Sequence, residues 1–145
     1  YQFVQRHMRY NPNSACRNQG ALTALREKVG VCEDYAALFV ALCRAADIPA
    51  RQVNGYADPK GTGQCWNELA QAFPLRGYRH SWAEFYLPGA GWLPADPTMN
   101  ISTQDLKYFG CLPYCSHIAQ NHYDQSVRIK FQGGRLEATW EEELI

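Results

Sequence analysis

The spacing of apolar positions changes near the middle of the chain, from a helical period in the first part to a two-residue period in the second. In residues 1 to 29, Phe3, Val4, His7 and Met8 fall on one helical face, and Ala21, Leu22, Leu25 and Val29 on another. The turn-rich Asn11-Pro12-Asn13-Ser14 between them predicts two helical segments. After an interruption at Gly30-Val31, the apolar residues Tyr35, Ala36, Phe39, Val40, Leu42 and Cys43 cover most of a helix circumference, so a helix starting at Cys32 is expected to be central and largely buried. Its end is expected near Ala46-Asp47, because Asp tolerates the left-handed conformation of a helix C-terminus and Pro49 disfavours helix at the residue before it.

Beyond that helix the chain reads as strands. Residues 50 to 56 look like a strand bounded by Gly55 and Asp58-Pro59-Lys60-Gly61. The stretch from Gly61 to Gly77 is expected to make a surface excursion with one short amphipathic helix around Trp66, Leu69, Ala70 and Phe73. From Tyr78 the period is two, with His80, Trp82, Glu84 and Tyr86 on one side and Ser81, Ala83, Phe85 and Leu87 on the other. Pro88 to Gly91 is a turn, and Trp92 to Ala95 is expected to return antiparallel. A short helix is expected over Thr103 to Phe109, and a last hairpin over 127–131 and 135–140 with Gly133-Gly134 at its turn. Helices followed by antiparallel strands predict an α+β fold, and nothing in the pattern splits residues 1–145 into more than one domain.

Three of these segments carry chemistry. Cys32 heads the central helix, where the dipole and unpaired backbone N–H groups favour a thiolate and the Cys32 N–H is a natural oxyanion donor. Glu33 and Asp34 oppose a second negative charge there, so activation is expected to come from a cationic partner, His80. The midpoint of positions 80 and 96 is 88, inside the predicted turn, so His80 and Asp96 are expected to face each other across the hairpin and to project from one face. A carboxylate beside an imidazole fixes its tautomer and stabilises its cation. Taken singly, a Cys before an apolar helix or a His in a strand is more often structural; in this combination they read as nucleophile, base and orienting acid.

Composition narrows the function class. With 46% hydrophobic and 19% charged residues, the 145-residue chain has an ordinary globular make-up, and 14 basic against 14 acidic residues give no pull toward nucleic acid or acidic membranes. The longest apolar stretch, Tyr35 to Ala46, is broken by Arg44 and too short to span a bilayer. The chain opens at Tyr1 without a signal-peptide pattern, as expected of a processed protein or an excised domain, and its compartment is not readable. A three-disulfide framework for the six cysteines is disfavoured, because Cys43 reads as a small buried hydrophobe and Cys32 must be free for the chemistry.

The motifs Gly30-Val31-Cys32-Glu33-Asp34-Tyr35-Ala36, His80-Ser81-Trp82-Ala83-Glu84 and Trp92-Leu93-Pro94-Ala95-Asp96-Pro97-Thr98, with Ile48-Pro49-Ala50-Arg51 and Gly55-Tyr56 between them, resemble the transglutaminase-like superfamily. The resemblance covers about residues 30–98 and is closest to small bacterial members described as cysteine proteases. It implies a papain-like, transglutaminase-core fold in which a central helix starting at the nucleophilic cysteine packs on an antiparallel sheet. Cys32, His80 and Asp96 would be nucleophile, base and orienting acid, and thioester chemistry would act on the amide bonds of a peptide or protein substrate, with hydrolysis favoured over crosslinking. The oxyanion Trp of that superfamily lies upstream of the cysteine, whereas Trp66, Trp82, Trp92 and Trp140 all follow Cys32. The second reading is a non-catalytic peptide-binding module on the same fold.

No cofactor and no metal are expected, since no Asp-rich calcium loop is present. Cys111, Cys115, His117 and His122 are zinc-competent residue types, but their spacing lacks a Cys-x2-Cys knuckle, and ordinary loop residues or a Cys111–Cys115 disulfide rank ahead of a zinc site. Trp66 is the aromatic expected to line the substrate cleft, while Trp82 and Trp92 are expected to pack the sheet and Glu84 to sit in a polar network.

Overall fold

The computed structural model describes residues 1–58, 78–99, 106–113 and 116–122. Helix α1 spans Gln2–His7 and α2 Ala21–Glu27, as the apolar spacing predicts. Each is followed by a two-residue strand absent from the sequence reading: β1 (Arg9–Tyr10) pairs in parallel with β2 (Val29–Gly30) through Arg9↔Val29 and Tyr10↔Gly30. Two residues are too few to show a period, so only the tertiary pairing reveals them.

Helix α3 (Cys32–Ala45) carries the core on Tyr35, Ala36, Leu38, Phe39 and Val40. It stops where the sequence predicts, with Asp47 in the left-handed region at φ 57. Asp47 N–H donates to the Arg44 carbonyl and Ile48 N–H to the Cys43 carbonyl, so carbonyls of the last helical turn are satisfied. Cys43 packs against the core, and burial pushes its thiol pKa up.

Strands β3 (Ala50–Ala57), β4 (Arg79–Leu87), β5 (Gly91–Ala95) and β6 (His117–His122) form an antiparallel sheet in the order β5-β4-β3-β6. Ala50, Ala83, Phe85 and Ala95 meet α3 residues Leu38, Phe39 and Val40 in one cluster with Val4, Met8 and Ala24. Phe85 is held between Phe39 at 6.0 Å and Phe109, stacked at 5.1 Å. Burying each such large side chain contributes about 1.5–3 kcal/mol.

The β4–β5 register corrects the expected hairpin. Leu87 pairs with Gly91 and Ala83 with Ala95, so the pairing centres on Gly89, not Pro88. Pro88 and Gly89 occupy the middle of a turn closed by Ala90 N–H to the Leu87 carbonyl, and Gly89 at φ +84 takes the position where this turn needs a positive φ. Continued one step, the register sets Trp82 opposite Asp96, with His80 on the diagonal. The displacement is two positions, so the parity that puts His80 and Asp96 on one face survives.

The expected helix over 103–109 is also corrected where it is described: 106–109 form a turn leading into a bridge between Ala95 and Phe109. The excursion containing Trp66, the residues of the last hairpin and Cys115 lie outside the described residues. No helix among the described residues is long and apolar enough to cross a membrane.

Candidate active site

The head of α3 is fixed by a carboxylate. Asp34, in the first turn and 1% exposed, accepts hydrogen bonds from the backbone N–H groups of Val31 (2.9 Å), Asn18 (2.9 Å) and Gln19 (3.1 Å). It thereby ties the loop before α2 to the residue preceding Cys32. Gly30 makes room for this, since a Cβ there would lie 2.5 Å from Asp34 Oδ2. Asp34 is thus committed to backbone donors. Glu33 keeps its carboxyl pKa raised, first by burial and then by Asp34.

Opposite the helix head, Asp96 follows the last residue of β5 and is fully buried. Its backbone N–H donates to the Tyr108 carbonyl at 2.8 Å, and Tyr1 Oη donates to its carbonyl at 3.1 Å. Asp96 Oδ1 accepts from the Thr98 and Met99 N–H groups at 2.9 and 3.2 Å, the turn created by Asp96-Pro97-Thr98. Its Oδ2 lies 2.6 Å from His80 Nε2.

The electrostatics follow from this packing. Burial opposes a charge on the His80 ring, but the Asp96 carboxylate, and after it Cys32 as hydrogen-bonding and charged neighbour, outweigh that cost and push the His80 pKa up to about 10. Burial alone would raise Asp96, yet the His80 and His117 imidazoles together hold it well below the usual carboxylate range. With Nε2 engaged by Asp96, Nδ1 is the His80 nitrogen left for the thiol. Cys32 and His80 border one cleft of about 430 Å³ whose other walls include the amides of Asn18, Asn54 and Asn121. The structure thus brings the three sequence-predicted residues Cys32, His80 and Asp96 to one place.

Two participants were not read from the sequence. His117, at the start of β6, places Nε2 2.9 Å from the same Asp96 Oδ2. It was grouped with Cys111 as a zinc-competent residue, and nothing local signals its real partner 21 residues away. Cys111 is an exposed free thiol 3.8 Å from the Lys107 carbonyl. Trp82 is the second: it is buried, faces His80 at 6.3 Å and sets its ring edge-on to His117 at 5.0 Å, walling both imidazoles. The expected sheet packing is correct for both tryptophans: Trp92, though 41% exposed, meets Tyr86 of β4 edge-on at 5.6 Å and covers Arg51 of β3 at 4.2 Å. Arg51 in turn pairs with Glu84 at 2.8 Å.

His80, Asp96 and His117 hold three metal-competent ligand atoms within 4.8 Å of one another. Both Nε2 atoms approach a single carboxylate oxygen at hydrogen-bond distance, so here the set is spent on N–H···O contacts.

A family model described as the transglutaminase-like superfamily matches residues 1–97. The chain belongs to that superfamily. Among curated relatives, the uncharacterized protein YebA of Bacillus subtilis is 35% identical over 76 residues, 52% of this chain and 10% of its own length. An uncharacterized protein of Haemophilus influenzae is 42% identical over 76 residues, 46% of this chain and 20% of its own length. A protein-glutamine gamma-glutamyltransferase of Pseudomonas aeruginosa is 33% identical over 78 residues, 54% of this chain and 11% of its own length. The chain therefore spans a fifth or less of the length of these three relatives. Among solved structures, a "Putative Cysteine Protease" from Cytophaga hutchinsonii superposes with a TM-score of 0.50 at 26% identity, covering 84% of this chain and 40% of that one. The α+β transglutaminase-core fold is shared with this solved neighbour, and membership of the superfamily supports thiol-dependent activity at family level.

Proposed function

We propose that this chain is a thiol acyl-transfer domain acting on the amide bonds of a peptide or protein, with Cys32 as nucleophile, His80 as general acid and base, and Asp96 as the group that orients His80. The observation that carries the proposal is the 2.6 Å contact from His80 Nε2 to a buried carboxylate, which leaves Nδ1 for the sulfur in the cleft that Cys32 and His80 both border. The Cys32 thiolate attacks the amide carbonyl, forming the C–S bond. The C–N bond breaks as His80 gives its proton to the leaving amine, and a thioester remains. Water then attacks the thioester, His80 takes the water proton, and the C–S bond breaks to release an acid and restore the thiolate.

Hydrolysis is the favoured outcome because the structural likeness is to a protein called a cysteine protease. Resolution by an amine is the second reading, favoured by the likeness to a protein-glutamine gamma-glutamyltransferase. Incubation with a peptide library, read by mass, separates them: fragments that together gain one water mean hydrolysis, and joined peptides that have lost ammonia mean transamidation. Iodoacetamide alkylation of Cys32 from about pH 5 to 8 tests the ion pair itself. Fast alkylation at the acid end, lost in His80→Ala, is expected. Slow alkylation in both proteins, with no product from any peptide, would leave a peptide-binding module instead.

A further inference from the structure

Asp96 Oδ2 has two imidazoles on it, and the proposed chemistry uses one. His117 has a side chain 2% exposed, and each of its ring nitrogens has a partner: Nε2 lies 2.9 Å from Asp96 Oδ2 and Nδ1 2.7 Å from Ser116 Oγ. Ser116, itself buried, has its hydroxyl 2.6 Å from the Pro113 carbonyl. The Pro113 carbonyl also accepts from the Ser116 backbone N–H at 3.0 Å, so the Ser116 hydroxyl is anchored between Pro113 and His117 Nδ1. An ionised carboxylate only accepts, so Nε2 must present an N–H to Asp96. The ring therefore donates from Nε2 and is held at Nδ1 by the Ser116 hydroxyl.

The fold is shaped to bring it there. β6 pairs with β3 through Ala57↔His117 and Tyr56↔Ile118, with a register irregularity between Asn54 and Gly55. A Cβ on Gly55 would sit 2.0 Å from the Ile118 carbonyl oxygen, so only glycine permits this approach. Trp82 closes the other side of the ring at 5.0 Å.

We propose that His117 is a positioning residue for the Asp96–His80 pair, a second imidazole braced by Ser116 and Pro113 that donates to Asp96 Oδ2 and holds the carboxylate where His80 needs it. The inference rests on the acyl-transfer reading for its kinetic consequence but not for its geometry. With His117 in place, Asp96 accepts four hydrogen bonds, two per oxygen, which fills its acceptor capacity and leaves it no freedom to rotate away from His80.

Two measurements on the full chain test it. Long-range nitrogen–proton NMR of the histidine rings, without substrate, is expected to show hydrogen on Nε2 of His117 and a displaced His80 resonance in His117→Phe. A bare Nε2 on His117, or stoichiometric zinc by elemental analysis with both rings as ligands, would overturn the proposal. In turnover, His117→Phe is expected to lower kcat about tenfold to a hundredfold with KM little changed, the range for losing a hydrogen bond to a charged group. His117→Gln, whose amide N–H reaches the same oxygen, is expected to recover most of that loss, and Ser116→Ala to show a smaller fall in the same direction. Equal kcat in the wild type and His117→Phe, or a Gln variant no better than Phe at equal thermal stability, would sink it. Should the wild type turn over no amide, the acyl-transfer reading falls while the NMR comparison still decides the role of His117.

Discussion

Asp34 and Asp96 are withdrawn from water almost equally, at 1% and 0% exposed, and serve opposite sides of the same cleft. Asp34 accepts three backbone N–H groups, none of which titrates, so its carboxylate fixes only the shape of the α3 head. Asp96 divides its oxygens: Oδ1 takes two backbone N–H groups, and Oδ2 takes His80 and His117. Burial is therefore the same in both, and both accept hydrogen bonds at each carboxylate oxygen. The difference lies in the partners, and a carboxylate whose partners can exchange a proton is the one that couples structure to chemistry.

The largest effect expected from breaking this contrast is in Asp96→Asn. The amide retains an oxygen for Thr98 and Met99 but presents an N–H₂ to the imidazoles, which removes the acceptor that selects the Nε2–H tautomer of His80. A kcat reduced about 10³- to 10⁴-fold, with an unchanged circular dichroism spectrum, is expected. Next in size is Gly55→Ala, whose methyl meets backbone at Ile118 and must displace β6; a loss of about 3 kcal/mol in urea unfolding is expected. Asp34→Asn should lose about 2 kcal/mol, because an amide cannot serve three donors, while turnover per folded molecule stays within a few-fold of wild type. If Asp34→Asn lost as much turnover as Asp96→Asn, the distinction between the two carboxylates would collapse.

These three variants also mark how far the sequence could be read. Cys32 and α3 were legible because a long buried helix writes its period into the chain and Asp47 announces its end. The pairing of His80 with Asp96 was legible for a weaker reason: the turn centres on Gly89 instead of Pro88, and the inference survived because the displacement kept strand parity. The structural role of Asp34 went unread, since its donors Asn18 and Gln19 come from a loop with no periodic signal. His117 escaped altogether because a contact between strand ends 21 residues apart is set by sheet order, which no local pattern encodes.

A smaller, graded effect is expected from pH. Asp96 has a folded pKa below its unfolded value of about 3.9, so its contribution to stability is present above that pH and is lost as the pH falls below it. His80 has a folded pKa of about 10 against an unfolded value of about 6.5, so its contribution is complete below 6.5 and is lost as the pH rises through 10. Both describe the same ion pair and count once. Urea midpoints across this range should peak between about pH 4 and 6.5 and fall on either side, and both slopes should flatten in Asp96→Asn. A wild-type profile rising steadily from pH 6.5 to 10 would contradict the pairing.

The smallest effect should come from the Arg51–Glu84 pair, which lies on the same face of β4 as His80, four residues along. It has similar contact geometry at 2.8 Å but side chains 23% and 18% exposed, against 11% and 0% for His80 and Asp96. Solvent screens the outer pair, and Arg51 also lies over Trp92, so the guanidinium keeps a packing partner when the carboxylate is neutralised. Glu84→Gln should therefore cost less than about 1 kcal/mol in thermal unfolding and leave kcat unchanged. The residual cost should shrink further in high salt, as a screened pair requires and a buried one does not. A salt-insensitive loss of several kcal/mol would mean that the sheet face carrying His80 depends on Glu84 as strongly as on Asp96, and proximity of charges along one strand, not desolvation, would then govern the site.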